Sequence, residues 1–244
     1  MAFGKYTQDY DVRQRASSLS ATDEGLRKFM LKVYSYMTAG LAVTGVVSYL
    51  LVGAIKSGNP LVLSMVYPPI GYIFMFAPLG LIFWMGARMH KMTANAAQNT
   101  FWVFSFLYGV SLSTLLVHFT GISVTRVFLI CSSMFLAMTT YGYTTKRYLG
   151  GLHSFLIMGV FGLIIASIVN LFMASTMMHF IISIIGVLIF AGLTATDTQA
   201  IKEIYVENEN SEDSTKKAVM GALKLYLDFL LMFQYLLMLF GNRE

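Results

Sequence analysis

Residues 180–199 read FIISIIGVLIFAGLTATDTQ. A mainly apolar run of this length can cross a bilayer, whose hydrocarbon core of about 30 Å needs roughly 20 such residues. The run ends in a carboxylate, Asp197. A second acid, Asp228, sits inside LYLDFLLMF at 225–233. A carboxylate at a membrane-helix centre costs roughly 2.5–3.5 kcal/mol on insertion scales, so acids placed this way face a protein interior or a wet cavity and mark candidate functional sites.

The rest of the chain agrees with a membrane reading. Of its 244 residues, 57% are hydrophobic and 12% charged, with a mean hydropathy of +0.67. Soluble domains average about 25% charged residues. Seven segments are long and apolar enough to span: Val33–Ile55, Pro69–Met85, Ala97–His118, Val124–Tyr143, Ser154–Ser175, Phe180–Gln199 and Gly221–Phe240. Pro68, Pro69 and Pro78 make the second irregular, and Pro78 is expected to kink it. Short loops imply antiparallel neighbours, with no internal repeat. The expected architecture is an all-α bundle of seven transmembrane helices over residues 29–244, preceded by a polar arm over 1–28. That arm holds no apolar core of a cleavable leader, so the first membrane helix is expected to target the chain.

The charges set an orientation. Of 17 Lys and Arg, all but Lys56, Arg126 and Arg243 fall in the N-terminal arm, the second, fourth and sixth loops, or the helix ends beside them. The positive-inside rule then puts the N-terminus in the cytoplasm and the C-terminus outside. The net charge of +5 is therefore topological, and the expected partners are lipid and ions, with no nucleic acid. Cys131 is the single cysteine, so no disulfide can form within the chain, and a packing role is expected. No glycosylation sequon occurs, which together with the short polar N-terminus leans toward a bacterial inner membrane.

Depth relates the two acids. Asp197 lies five residues before Lys202, and Asp228 four after Lys224. At 1.5 Å per residue the carboxylates sit about 7.5 Å and 6 Å from those lysines. If both lysines mark the cytoplasmic boundary, the acids are at nearly equal depth on consecutive antiparallel helices, within hydrogen-bonding reach. Two close carboxylates cannot both ionise cheaply and tend to share one proton. The alternative is that each acid separately caps a helix or lines a wet crevice near the headgroups. Arg88, at the end of the second helix, is a possible third member that would neutralise the pair, or an ordinary boundary anchor.

Other polar residues read more plainly. His90, His118, His153 and His179 each fall near a predicted helix end and lack metal-ligand spacing, so they are expected to be boundary residues. Asn170 and Gln234 are expected to hydrogen-bond across helices. KEIYVENENSEDSTKK at 202–217 has no glycine where a calcium-binding loop needs its turn, and reads as a solvated loop. No metal or organic cofactor is implied.

Four stretches carry a resemblance. GVLIFAGLTATDTQAIKEIY (186–205) resembles the sixth-helix signature of the Bax inhibitor-1, or transmembrane Bax-inhibitor-motif, family. ALKLYLDFLLMFQYLLMLFG (222–241) is similar to its seventh helix, YGYTTKRYLG (141–150) to the loop after its fourth, and FLYGVSLSTLL (106–116) to its third. The resemblance implies a bundle with the last helix central. It also implies a pH-sensitive calcium leak, gated by an aspartate pair matching Asp197 and Asp228, with Arg88 matching the associated arginine. Tyr148 stands where many members carry an acid, and the second helix holds no carboxylate. Calcium takes 6–8 oxygens, so two aspartates make a weak site, suited to a permeant ion. Rival readings are a regulator of a membrane protease or of a cell-death or stress partner without transport, and an intramembrane aspartyl protease. The protease motifs Gly-x-Gly-Asp and Pro-Ala-Leu are absent, so the chain is expected not to be an enzyme.

Overall fold

The computed structural model describes residues 3–66, 70–88, 91–207 and 209–242, with 3–22 described through their backbone only. The described elements are all helical: α1 (Phe3–Lys56), α2 (Pro60–Val66), α3 (Ile70–Arg88), α4 (Ala94–Leu116), α5 (Gly121–Thr144), α6 (Gly150–Met173), α7 (Thr176–Glu203) and α8 (Ser211–Phe240). Seven of these, all but the short α2, are long and apolar enough to span a membrane. The protein is an integral, multi-pass membrane protein.

Helix ends follow local chemistry. Thr93, Thr120, Ser175 and Asn210 precede α4, α5, α7 and α8, and each side-chain oxygen accepts from a backbone N–H of the first turn, satisfying donors that a helix start leaves open. The turn between α6 and α7 needs a left-handed residue, and Ala174 adopts φ 49° there. Asn170 closes this turn by accepting from Ser175 N–H at 3.1 Å. It therefore serves the turn, where a bond to another helix had been expected.

The expected spans recur, most of them extended at one end, while α4 and α6 stop two residues before their expected ends. α7 and α8 run past the apolar core to Glu203 and back to Ser211, because polar residues continue a helix into the headgroup region without any hydropathy signal. The polar 1–28 arm is likewise continuous with the first span from Phe3, since no Gly or Pro interrupts residues 5–24. Pro78 is accommodated within α3 and is buried. Pro68, Pro69, His90 and Arg243 lie outside the described residues.

α8 is the central helix. More than half of its most apolar stretch, 56%, is buried, against 11% for α6 at the periphery. It packs on α7, α1, α5 and α4, while α3 leans on α4 and α6 on α7. Tyr226 anchors the middle of α8. Its ring is fully buried against Phe101, Phe104 and Tyr108 of α4, edge to face. Its hydroxyl meets Thr44 of α1 at 2.6 Å, and the Thr44 hydroxyl also reaches the Ser105 carbonyl at 2.8 Å. Gln234 donates to the Tyr108 hydroxyl at 3.0 Å, so this polar residue does bond across helices. Cys131 is buried against the Phe229 carbonyl at 3.5 Å. The outer faces are a belt of exposed apolar side chains, Leu171 and Phe172 of α6 among the most exposed, suited to lipid.

Membrane helices gain no hydrophobic drive from meeting one another and rely on close packing at small residues. The contact that seats α7 depends on one such residue. A Cβ added at Gly142 of α5 would lie 2.2 Å from the Ala195 carbonyl oxygen of α7. That neighbour is backbone two residues before Asp197, so it cannot rotate away. Gly142→Val should therefore destabilise the bundle by about 1–3 kcal/mol, the range for overpacked interiors, read as a lower melting temperature in detergent. A melting temperature equal to the parent's would show that α5 and α7 are not in this register.

Candidate functional site

The TATDTQ segment of α7 is buried from Thr194 through Gln199. A polar sequence can sit there because its groups are satisfied locally. Thr194, Thr196 and Thr198 donate their hydroxyls to the carbonyls of Phe190, Leu193 and Thr194, at 2.8, 3.1 and 2.7 Å. Gln199 faces the loop between α5 and α6. Its Oε1 accepts from Leu149 N–H at 2.7 Å and its Nε2 donates to the Arg147 carbonyl at 2.9 Å. Lys202 donates to the Tyr143 carbonyl at 3.0 Å and lies over the Tyr143 ring. These bonds fasten the α5–α6 loop over the end of α7.

Beneath that loop the two aspartates meet. Asp197 is 6% exposed and Asp228, on the facing side of α8, 4%. Their carboxyl groups are close enough to share a hydrogen bond. The depth argument from Lys202 and Lys224 therefore gives the right juxtaposition. The capping alternative fails for both residues. Asp197 is six residues short of the end of α7, and Asp228 seventeen past the start of α8.

Two nitrogen groups flank Asp197. Its Oδ1 lies 3.5 Å from His153 Nδ1 of α6 and 3.8 Å from Lys224 Nζ of α8. Both are longer than a good hydrogen bond, and Asp197 Oδ1 has no hydrogen-bond partner. His153 Nδ1 is instead 3.1 Å from the Thr196 hydroxyl. That hydroxyl also lies 3.1 Å from the Leu193 carbonyl, so it bridges α6 and its own helix. Lys224 is half-exposed, its ammonium reaching toward water. Asp228 Oδ2 is also buried without a partner.

The site thus holds two carboxyl groups in contact and two buried oxygens left over. A buried carboxylate oxygen is normally hydrogen-bonded, so each of these calls for a proton, a water or a cation. Among the described residues no three His, Cys, Asp or Glu side chains gather as a metal site would require. Arg88 is exposed at the end of α3 and is not among the basic groups within 4 Å of Asp197. The charge beside the pair comes from Lys224 and, when protonated, His153.

His153 is the residue that sequence reasoning missed. It reads as a helix-boundary histidine and does begin α6, but only the fold of the 145–149 loop brings that helix start against α7. Lys224 had a visible signal, one turn from Asp228, although the carboxylate it approaches is Asp197. Gln199 had none, because its partners are backbone groups about 50 residues away.

The loop clamp can be tested directly. Gln199→Ala leaves Leu149 N–H buried without an acceptor, a loss of about 1–3 kcal/mol. The expected result is a lower melting temperature together with faster amide exchange at Leu149. Unchanged exchange there would remove Gln199 from the site.

Comparison with known proteins gives a consistent picture. The family model for the inhibitor of apoptosis-promoting Bax1 matches residues 26–244. An uncharacterised protein of Rickettsia prowazekii is 45% identical over 97% of this chain and 99% of its own length. A Caulobacter vibrioides protein is 39% identical over 92% of both chains. The inner membrane protein YbhL of Escherichia coli K12 is 36% identical over 94% of this chain and 98% of its own.

Proposed function

The chain belongs to the family of the inhibitor of apoptosis-promoting Bax1, and on that footing we propose that it is a pH-sensitive calcium leak channel whose gate is the Asp197–Asp228 pair. The observation that carries the reading is the contact of these two carboxyl groups with one buried oxygen on each left unpartnered.

The chemistry of the pair has two states. With one proton between them, the carboxyls join α7 to α8 by a hydrogen bond. With none, two negative charges stand in contact. Unit charges 4 Å apart repel by roughly 4 kcal/mol at an effective dielectric constant of about 20. Lys224 and a protonated His153 offset part of this. What remains is of the size needed to shift a two-state bundle by tenfold or more. The ionised pair also presents a concentrated negative charge to a cation. Calcium prefers 6–8 oxygens, so two carboxylates with water and carbonyls hold it loosely, as permeation requires.

The membrane is proposed to be a bacterial inner membrane, supported by the name of the E. coli relative. The N-terminus is then cytoplasmic, supported by the placement of basic residues in the arm and the α3–α4, α5–α6 and α7–α8 regions. The pair lies toward that face.

The test is calcium flux into liposomes holding the purified protein, across roughly pH 6–8, the range in which a strongly coupled pair can titrate. The parent flux should change several-fold with pH, and Asp197→Asn and Asp228→Asn should each flatten that dependence. Variants that titrate like the parent would place the gate elsewhere. A parent that passes no calcium yet retains a membrane protein through purification would favour the regulatory reading.

A further inference from the structure

The helices that carry the two acids are almost closed to their surroundings. α7 has no exposed residue from Ile189 to Lys202, and along α8 the single exposed residue from Ser214 to Leu239 is Lys224. That opening lies beside the aspartates. Lys224 is four residues before Asp228, so it shares a face of α8 with the acid, one turn nearer the helix start. Its side chain does not stay over its own helix. The ammonium lies 3.8 Å from Asp197 Oδ1 on α7, so Lys224 crosses from α8 to α7 beside the point where the carboxyl groups meet.

The contact is one of charge. Asp197 Oδ1 is buried without a hydrogen-bond partner, and 3.8 Å is too long for such a bond. The lysine side chain is 48% exposed, so the ammonium remains partly in water. Other lysines at this end of the bundle are committed elsewhere. Lys202 holds the Tyr143 carbonyl and Lys32 the Thr215 hydroxyl, while Lys216 and Lys217 pair with Asp213 and Glu209. His153, partly exposed on α6, flanks the same oxygen at 3.5 Å and lies nearer the Thr196 hydroxyl. A cation coming from water to the unpartnered oxygen therefore meets the Lys224 ammonium. That ammonium is a hydrated point charge on a flexible stem, able to swing outward without disturbing the helix that carries it.

We propose that Lys224 is the tethered counter-ion of the aspartate pair, a built-in competitor that a divalent cation must displace to reach Asp197 Oδ1. This role rests on the calcium reading of the pair and names the residue that sets the affinity of that site. A half-exposed ion pair is weak, so the lysine lowers cation affinity by a small factor and does not abolish binding. The same weakness lets the lysine return once the ion has passed.

The experiment is manganese(II) binding to the purified full-length protein in detergent, at one fixed pH, read from the loss of the free-ion electron paramagnetic resonance signal. Manganese shares the oxygen-ligand preference of calcium. Lys224→Met keeps an apolar stem and removes the charge, and should bind about two- to fivefold more tightly than the parent. Lys224→Glu places a third carboxylate at the opening and should bind more tightly still, while Lys224→Arg should stay with the parent. A lysine with a purely structural role would give no such order by charge. The gain of the Lys224→Met variant should vanish when Asp197→Asn is added. Methionine and glutamate variants that bind as the parent does, while Asp197→Asn and Asp228→Asn abolish binding, would remove Lys224 from the site and leave the cation reading standing. A gain that survives Asp197→Asn would also overturn the proposal. No binding in the parent or any variant, or binding that ignores both aspartates, would overturn the cation reading itself and this role with it.

Discussion

Two carboxyl groups buried together between α7 and α8 are the constraint around which the bundle is arranged. Each costs several kcal/mol to hold inside a membrane protein if ionised and unpaired. One proton shared between them, as proposed, would remove most of that cost and link the two helices. The link works only if α7 and α8 are held in one register at one depth, and the packing supplies that. α8 runs through the middle of the bundle, α7 lies along it, and Gly142 lets α5 press against α7 two residues before Asp197.

The surrounding structure divides into a fastened end and a looser one. Around the aspartates, Gln199 and Lys202 fasten the α5–α6 loop, and Tyr226 joins α8 to α1 and α4 through Thr44 and an aromatic cluster. On the far side α1 and α5 diverge and leave an apolar groove. On the proposed reading, a proton change at the fastened end would act on helices whose opposite halves are less closely packed on one flank. That arrangement gives local charge repulsion somewhere to go.

Much of this was legible in the sequence. Hydropathy gives the seven spans because a bilayer admits few other solutions for a chain with so few charges. The pairing of the aspartates could be read because their spacings from Lys202 and Lys224 translate into similar distances along two antiparallel helices. Boundaries were less legible. The ends of α7 and α8 are polar and continue past the hydrocarbon, and residue preferences there are too weak to mark a stop. The centrality of α8 came from family resemblance, since its apolar pattern alone does not separate a central helix from a peripheral one. His153 and Gln199 were hidden because their roles come from the path of one loop. Arg88 looked suitable by charge and depth, but α3 packs on α4 and carries it to the surface.

The central claim is that one proton belongs jointly to Asp197 and Asp228. Infrared difference spectroscopy of the purified protein through a pH titration observes it directly, through the carbonyl stretch of a protonated carboxyl group. The account predicts a single buried carboxyl band whose titration is lost or displaced by Asp197→Asn and equally by Asp228→Asn. Two bands that titrate independently, each unchanged when the other aspartate is replaced, would contradict it.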